Sequence, residues 1–382
     1  MCDVPALRFL EFTEEWKRIR VSDLLDFYST NSLSWEQLEY KLNEPYNLHY
    51  GLIHVGLPIL VDLTKDELPS IKEGNVPKKY ELCKEGDVAF ADASEDTNEV
   101  AKVVEFYNLD GKKVVCGLHT IHGRDNNKQT AKGFLGYCFS STVFHYQIRR
   151  IAQGTKIYSI NTRNFSEVFV GLPSKSEQHK IATLLKLIDE RISTQNKIIE
   201  KLETLIKGII ETVISSQKPN TLIKNCLECN SSTLQEIQVA ETGAFPVYGA
   251  TGISGYTETA DINGESILII KDGSGVGIVK FVTGEYSYIG TLNSLIAKDG
   301  YCLKYIYFSL QRFSFEPYKT GMAIPHIYFK DYGKAKIYCP SLSLQTLIAQ
   351  KLSLIENKME VEKRIILCYQ LQKSYLLSRM FI

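Results

Sequence analysis

Two pairs of residues stand at spacings that could bind a metal ion. His119 and His122 are three residues apart, and Cys226-x-x-Cys229 has the same interval later in the chain. A structural zinc site needs four ligands, and neither pair has a second pair nearby in the sequence. An odd total of nine cysteines also argues against a disulfide framework and suits a reducing compartment. We therefore expect no metal ion and no cofactor in this chain.

One glycine cluster, Gly273-Ser-Gly275-Val-Gly277, could be mistaken for a nucleotide-binding loop. It lies between two β-like runs rather than before a helix, and no Lys-Ser/Thr follows it. The pattern predicts a tight hairpin turn. The chain also lacks G-x-x-x-x-G-K-[ST] and the Asn/Asp-Pro-Pro-aromatic tetrapeptide of DNA methyltransferases. We therefore expect no catalytic site.

Other side chains have the chemistry needed to read DNA. Arg and Lys pair with guanine, Asn and Gln pair with adenine, and hydroxyls contact phosphates. We expect the loops Arg124–Gln129, Gly249–Gly252 and Gly273–Gly277 to carry such contacts, although a solvated surface loop is the alternative for any single residue. The candidates are His119, Arg124, Asn126, Asn127, Lys128, Gln129, Arg149, Arg150 and Arg163 in the first half, and Tyr248, Thr251, Lys271, Ser274, Asn293, Lys319 and His326 in the second.

The formal net charge of zero hides an uneven distribution. Residues 1–110 hold 11 basic and 22 acidic side chains, whereas residues 111–172 hold nine basic side chains against Asp125 and Glu167. A local basic excess is what phosphate contact requires. A solvated charged face is the alternative interpretation.

An internal repeat determines the predicted architecture. When the chain is shifted by 167 residues, Gly154–Ile160 aligns with Gly321–Ile327, and Leu172–Gln178 aligns with Cys339–Gln345. Residues 154–199 and 321–366 share 14 identities without a gap. The chain is therefore predicted to contain two copies of one unit, each a variable globule followed by a similar helix.

Each predicted helix carries an apolar seam with alternating spacings of four and three residues, typical of a coiled coil. Gln195 and Glu362 occupy equivalent polar positions. We expect the two helices to pair, in a direction that the seam does not fix, unless each packs on its own globule. The seam comprises Ile181, Leu185, Ile188, Ile192, Ile199 and Leu202, continuing through Ile206, Ile209 and Val213, and in the second copy Ile348, Leu352, Ile355 and Ile366, continuing through Leu376 and Met380 past an interruption at Lys373.

These features resemble the specificity (S) subunits of type I restriction–modification systems. The opening Pro5–Phe9 with Phe12 and Trp16 is similar to that family's start. Leu172-Pro173, Glu177-Gln178 and the following helix resemble its central conserved region, which Pro340, Gln345 and the last helix repeat. Leu344 stands where the family has an acidic residue. Fragments similar to its target-recognition domains are Gly117–Thr120, Gly154 with Ile160, and Gly249-x-x-Gly252.

The resemblance implies an α+β fold with an internal pseudo-twofold repeat, in which two mixed α/β target-recognition domains are separated by two long helices that pair as an antiparallel coiled coil. It predicts target-recognition domains over 1–172 and 218–339, and spacer helices over 173–217 and 340–382. It also implies the partners, which are double-stranded DNA, two methyltransferase subunits and, through them, restriction/translocase subunits. The chain would be non-catalytic, whereas the assembled complex would be an adenine DNA methyltransferase and ATP-dependent endonuclease.

Two other classes of function remain open at this stage. A coiled-coil scaffold that binds proteins would show no sequence-selective DNA binding, and an enzyme with its own DNA chemistry would need acidic or metal-binding clusters that the sequence does not display. No apolar run approaches the roughly 20 residues that span a bilayer, and the N-terminus lacks a secretory pattern. We expect a cytoplasmic location and no membrane partner.

Overall fold

The structure is a computed structural model that describes residues 4–382. Its contacts divide the chain into two compact units. Unit 1 contains the residues up to 195 together with 365–382, and unit 2 contains residues 196–364. Each of two long helices contributes residues to both units, and each unit is described by itself.

Unit 1 is built on two sheets. The first has the strand order β2-β11-β7-β9-β5 and the second has the order β10-β4-β6-β3, with small pairs β1-β13 and β12-β8. The strands are β1 (Lys17–Arg20), β2 (Asp26–Tyr28), β3 (Leu38–Glu39), β4 (Tyr46–Leu48), β5 (Leu60–Asp62), β6 (Ser70–Ile71), β7 (Val88–Ala91), β8 (Ala93–Ser94), β9 (Val103–Asn108), β10 (Val114–Cys116), β11 (Thr120–Arg124), β12 (Tyr158–Ser159) and β13 (Phe169–Leu172). The short helices are α1 (Val21–Leu24), α2 (Tyr50–His54), α3 (Phe134–Phe139), α4 (Thr142–Ile151) and α5 (Thr162–Ser166).

Unit 2 has one six-stranded sheet with the order β15-β20-β18-β19-β16-β17 and a small pair β14-β21. Its strands are β14 (Thr221–Leu222), β15 (Leu227–Ser231), β16 (Phe245–Gly249), β17 (Gly252–Thr257), β18 (Ile262–Ile270), β19 (Val279–Tyr288), β20 (Leu292–Ala297) and β21 (Lys336–Ile337), and its short helices are α7 (Ile223–Cys226), α8 (Leu303–Gln311) and α9 (Phe329–Tyr332). The predicted strands and helix α8 are confirmed, as is the turn at Gly273–Gly277, which joins the antiparallel strands β18 and β19.

The long helices are α6 (Lys175–Ile210), extended by a π-helical turn over Glu211–Ser215, and α10 (Leu342–Arg379). Their first residues lie 167 positions apart, as the repeat predicts. At 1.5 Å per residue the 38 residues of α10 measure about 57 Å.

Each helix begins with the same buried glutamine. Gln178 Nε2 donates to Pro173 O (2.8 Å) and its Oε1 accepts from Ala131 N (2.7 Å). Gln345 Nε2 likewise donates to Pro340 O (2.8 Å), and its Oε1 accepts from Cys302 N (3.0 Å). Each glutamine therefore ties the start of a long helix to the globule that precedes it.

The helices run antiparallel, as contacts inside each unit show. In unit 1 the early residues Ile181 and Leu185 of α6 share a core with the late residues Leu376 and Met380 of α10. In unit 2 the late residue Ile206 of α6 shares a core with the early residues of α10, among them Ile348 and Leu352. Since late residues of one helix meet early residues of the other in both units, the prediction of an antiparallel pair is confirmed.

Most predicted seam residues are buried, but the end of the first seam was predicted wrongly. Ile210 and Ile214 are buried there, Ile209 is half-buried, and Val213 is 38 % exposed. A straight α-helix has 3.6 residues per turn, so a 3.5-residue pattern rotates off the packed face, and the π turn adds to the shift. The remaining seam residues are fully buried (Ile181, Leu185, Ile188, Ile348, Leu352, Ile366) or half-buried (Ile192, Ile199, Leu202, Ile355).

The start of the described chain is attached to the end of the last helix. Leu7 N donates to Arg379 O at 2.9 Å, and Gly171 N donates to Ile382 O at 3.2 Å. Arg8 forms an ion pair with the buried carboxylate of Glu177 on α6 (2.7 Å). Both ends of the described chain are therefore fixed on unit 1.

Candidate nucleic-acid interface

A small closed loop follows helix α4 in unit 1. Gln153 N donates to Ser159 O (2.9 Å), and Ser159 N donates to Gln153 O (2.8 Å). Gly154 has a φ of +137°, and a Cβ on it would lie 1.9 Å from Ile157 O. The loop therefore requires glycine at position 154.

Unit 2 has the same loop 167 residues later. Thr320 N donates to His326 O (2.9 Å), and His326 N donates to Thr320 O (2.8 Å). Gly321 has a φ of +90°, and a Cβ on it would lie 2.4 Å from Ile324 O. We call Gln153–Ser159 and Thr320–His326 the closed loops. Their shared hydrogen bonds show that the sequence repeat is also a structural repeat.

Each closed loop meets two other segments at a junction of backbone hydrogen bonds. In unit 1, Ile160 N donates to Asp92 O (2.9 Å), and Asp92 N donates to His119 O (3.1 Å). In unit 2, Ile327 N donates to Lys271 O (3.0 Å), and Lys271 N donates to Thr291 O (2.9 Å). His119 and Thr291 immediately precede the equivalent strands β11 and β20. The two junctions therefore have the same connections and different side chains.

Several predicted site residues of unit 1 lie at or near this junction. His119 is 51 % exposed, with its Nδ1 3.2 Å from Asp92 Oδ1. Arg149 and Arg150 are exposed in the last turn of α4, just before the closed loop, and Arg163 is exposed on α5, just after it. Lys156, at the exposed tip of the loop, adds another cation. Unit 1 thus has a basic surface around its closed loop.

The second set predicted in unit 1 lies at the other end of β11, roughly 17 Å along the strand from His119. Asn126, Asn127 and Lys128 are exposed and Gln129 is half-buried, so these four occupy the predicted loop. Asn126 Nδ2 donates to Asp26 Oδ2 (2.6 Å). This loop adjoins the start of α6, because Gln178 Nε2 donates to Gln129 O (3.3 Å). The structure therefore separates the set into two surfaces.

The placement of Arg124 on that loop was wrong, because this residue ends strand β11 and is 6 % exposed. Its guanidinium donates to Asp87, to Glu81 Oε1 (2.7 Å) and to Leu82 O (2.7 Å). Burial opposes its charge, but the hydrogen bonds to Asp87 and Glu81 raise the pKa of Arg124 above its ordinary value. Burial also raises the pKa of Asp87, but hydrogen bonds from His122 and Arg124 outweigh it and leave that pKa below its usual value. Arg124 is thus committed to a buried ion pair.

In unit 2 the junction gathers most of the predicted residues. Gly273 N donates to Pro325 O (2.9 Å), which joins the turn that carries Lys271 and exposed Ser274 to the closed loop. Lys319, which pairs with Glu316, precedes that loop, and half-buried His326 closes it.

Two more predicted residues of unit 2 lie close to this junction, and one does not lie on the surface. Ile289 N donates to Tyr248 O (3.0 Å), so half-buried Tyr248 and the turn with exposed Thr251 lie beside the segment that leads to the junction. Asn293 was misplaced on the surface by sequence reasoning. It is 5 % exposed on β20, and its Oδ1 accepts a hydrogen bond from Ser231 Oγ (2.8 Å).

Sequence reasoning missed the apolar tips of the closed loops. Ile157 is 61 % exposed, and its counterpart Ile324 is 66 % exposed. Met322 projects beside Ile324 and is fully exposed. The repeat aligns Ile157 with Ile324 and could have identified both. Apolar side chains flanked by cations suit contact with thymine methyl groups as well as with phosphates.

The sequence profile described as type I restriction modification DNA specificity domain matches residues 107–204 and 223–367, more than half of the chain. The chain belongs to this family. It is a DNA specificity subunit, and the two matched segments correspond to the two copies of the repeat.

Similar proteins agree with this assignment. The chain is 26% identical over 263 residues to a type I specificity subunit, S.MgeORF438P, of Mycoplasma genitalium, covering 62% of this chain and 67% of that protein. It is 25% identical over 210 residues to the MjaX specificity subunit of Methanocaldococcus jannaschii, covering 54% of this chain and about half (47%) of that protein. The crystal structure of an S subunit from M. genitalium has the same fold, with a TM-score of 0.66 over 99% of both chains at 18% identity.

Across residues 4–382, no helix is long and apolar enough to cross a membrane.

Proposed function

We propose that this specificity subunit reads a bipartite DNA sequence, one half-site for each unit, separated by a spacer of unread bases. The duplicated junction carries the proposal, because two surfaces with the same backbone connections present different side chains. Helices of about 57 Å can hold two reading surfaces more than one turn of DNA apart, which is about 34–36 Å.

In this proposal the reading surface of each unit is the closed loop with its junction. The loop tips are exposed, and cations flank them in both units. The loop Asp125–Gln129 is assigned to the other face of unit 1, because it contacts the start of α6. Arg150 and Lys156 would contact DNA in unit 1, and Lys319 and His326 would do so in unit 2.

We infer that the long helices bind two methyltransferase subunits and, through them, the restriction/translocase subunits, and that this chain itself is non-catalytic. Many apolar side chains of α10 remain exposed in the isolated chain, which supports this role. Among them are Leu347 (50 %), Leu354 (64 %), Leu367 (56 %) and Leu371 (62 %). Exposed apolar groups repeated along a helix favour contact with another protein.

The test is to co-express the chain with its cognate methyltransferase and map methylated adenines across the genome. We expect two short half-sites around a fixed spacer. Arg150→Ala with Lys156→Ala should relax one half-site, and Lys319→Ala with His326→Ala should relax the other, at about 1–3 kcal/mol for each lost base contact. A single continuous motif would contradict the bipartite proposal.

The matched control is Lys128→Ala, which removes a cation from the other end of β11. We expect it to leave both half-sites unchanged. If Lys128→Ala relaxed a half-site and the Arg150 and Lys156 substitutions did not, the reading surface would lie on the Asp125–Gln129 loop instead. A coiled-coil scaffold without DNA recognition would give no sequence-defined methylation in any of these strains.

A further inference from the structure

Three buried side chains in unit 1 bring possible metal ligands together. Cys83 Sγ lies 3.5 Å from Cys116 Sγ, and a ring nitrogen of His122 completes a set whose ligand atoms all lie within 4.8 Å of one another. The three side chains are 6 %, 2 % and 0 % exposed. They come from separate segments, namely the stretch before β7, the end of β10 and the middle of β11. The fold, rather than local sequence, therefore creates this cluster.

The histidine is oriented as a metal ligand requires. His122 Nε2 lies 2.7 Å from Asp87 Oδ2, and Arg124 donates to both oxygens of the same carboxylate. Because that carboxylate is an acceptor, Nε2 carries the ring proton and Nδ1 carries the lone pair. Nδ1 is buried and has no hydrogen-bond partner in the described part of the chain. Carboxylate–histidine–metal arrangements orient the ligating nitrogen in this way.

We propose that Cys83, Cys116 and His122 bind a structural zinc ion. Two thiolates and an imidazole suit a borderline-soft divalent cation. Zinc–sulfur bonds of about 2.3 Å in a tetrahedral site place two sulfurs about 3.8 Å apart, so the sulfurs would need to separate by only a few tenths of an ångström. Binding replaces the two thiol protons, which leave to solvent, while the imidazole binds in its neutral form.

A cavity of about 420 Å³ gives access to this cluster. Its lining includes Cys116 together with Asn31, Leu33, Tyr80 and Glu81. Water in this cavity would supply the fourth ligand of a tetrahedral site. The ion would join β10 of the four-stranded sheet to β11 of the five-stranded sheet, so its role is to hold the two sheets of unit 1 together.

The sequence pointed to a different pair. His119 and His122 are neighbours in sequence, but His119 is exposed and contacts Asp92. The ligands that join His122 come from positions 83 and 116, and the distance from position 83 hides the set from any motif search. Unit 2 offers a comparison, because Cys226 Sγ and Cys339 Sγ lie 3.8 Å apart and form part of no three-ligand cluster found among residues 4–382.

The test measures the metal content of the full chain, purified under reducing conditions without chelators. We expect about one zinc ion per chain. Cys83→Ala and Cys116→Ala should each lower the zinc content at least tenfold, whereas Cys226→Ala, which removes a buried thiol from the comparison pair, should retain it. Zinc that persists in both Cys83→Ala and Cys116→Ala would overturn the proposal.

A second measurement does not depend on the variants folding. The zinc-free wild-type chain, with its thiols reduced, is titrated with Co²⁺. We expect thiolate-to-cobalt charge-transfer absorption and the d–d bands of tetrahedral cobalt, saturating at about one equivalent. Absence of these bands, together with absence of zinc from the purified chain, would overturn the proposal, as would a Cys83–Cys116 disulfide in the chain as isolated under reducing conditions.

Discussion

Asp189 on α6 and Lys373 on α10 form an ion pair between the two long helices, with Lys373 Nζ 2.5 Å from Asp189 Oδ1. The second carboxylate oxygen of Asp189 accepts a hydrogen bond from Tyr137 OH at 2.9 Å. One carboxylate thus joins α6 to α10 and to the globule of unit 1. Lys373 is the residue that interrupts the apolar seam in the sequence.

We expect Lys373→Ala to lower the free energy of unfolding by about 1 kcal/mol, because the pair is about three-quarters buried. Asp189→Ala should cost more, since it also removes the acceptor for Tyr137. Urea titration followed by circular dichroism measures both. Lys186→Ala, which breaks the more exposed pair with Glu190 on α6, is the control and should change stability by less than about 0.5 kcal/mol. Equal effects of all three substitutions would contradict a specific role for the interhelical pair.

Gln178 and Gln345 should contribute similarly to stability, because each satisfies one carbonyl and one N–H group at the start of a long helix. Gln178→Leu leaves the N–H of Ala131 and the carbonyl of Pro173 without this partner, at about 1–3 kcal/mol for each buried group left unpaired. Gln345→Leu should cost a similar amount. Thermal unfolding measures both effects, with Gln350→Leu on the exposed face of α10 as the control. A neutral Gln178→Leu would mean that water replaces the amide.

The buried carboxyl of Glu105 makes stability depend on pH. It accepts hydrogen bonds from Gly133 N (2.5 Å) and Gly136 N (2.8 Å), but burial dominates and raises its pKa from 4.5 to about 7. The folded chain therefore holds this proton more tightly than the unfolded chain does. The stabilisation is complete below the unfolded pKa of 4.5 and is lost as pH rises towards about 7.

Glu105→Gln should remove this dependence. The shift corresponds to about 3 kcal/mol between the two ends of that pH range. Denaturant titrations across the range should show wild-type stability falling relative to Glu105→Gln as pH rises. Glu258→Gln, at an exposed position of unit 2, serves as the control and should follow the wild type. Parallel curves for the wild type and Glu105→Gln would show that Glu105 titrates normally.

The closed loops should tolerate no side chain beyond glycine at their first bends. Gly154→Ala would place a Cβ against Ile157 O and should disturb the half-site of unit 1 alone, whereas Gly321→Ala should disturb that of unit 2 alone. Methylation mapping with each variant measures this. Gly300→Ala is the matched control, because Gly300 has a φ of +87° and open space around its Cα. Loss of both half-sites in Gly154→Ala would show that the two units do not read independently.

Patterns with a fixed period were predictable from sequence. The repeat gave the first residues of α6 and α10, and the heptad spacing gave the buried seam residues Ile181 to Ile188 and Ile348 to Ile355. The drift to Ile210 and Ile214 was not predictable, because it depends on how the helix end packs on the core of unit 2. The interval of 167 residues also aligned the two closed loops.

Contacts between distant segments could not be predicted. Arg124 and Asn293 are polar side chains near strand ends, and the sequence does not reveal that Asp87 and Ser231 bury them. The junctions join the closed loops to Asp92 and Lys271, whose spacing from the loops differs between the two copies. The cluster of Cys83, Cys116 and His122 escaped notice for the same reason, since pairing of strands from separate segments brings its members together.

The hydrogen bond from Leu7 N to Arg379 O has a consequence for chain connectivity. The two ends of the described chain meet on unit 1, while the segment around Gln217 and Lys218 is exposed between the two copies. A circular permutant that is opened between Gln217 and Lys218, with a short linker joining the original ends, would keep these contacts and place the second copy before the first. The order in which the copies are translated is then a historical accident of the gene rather than a requirement of folding, and either half could serve as a cassette.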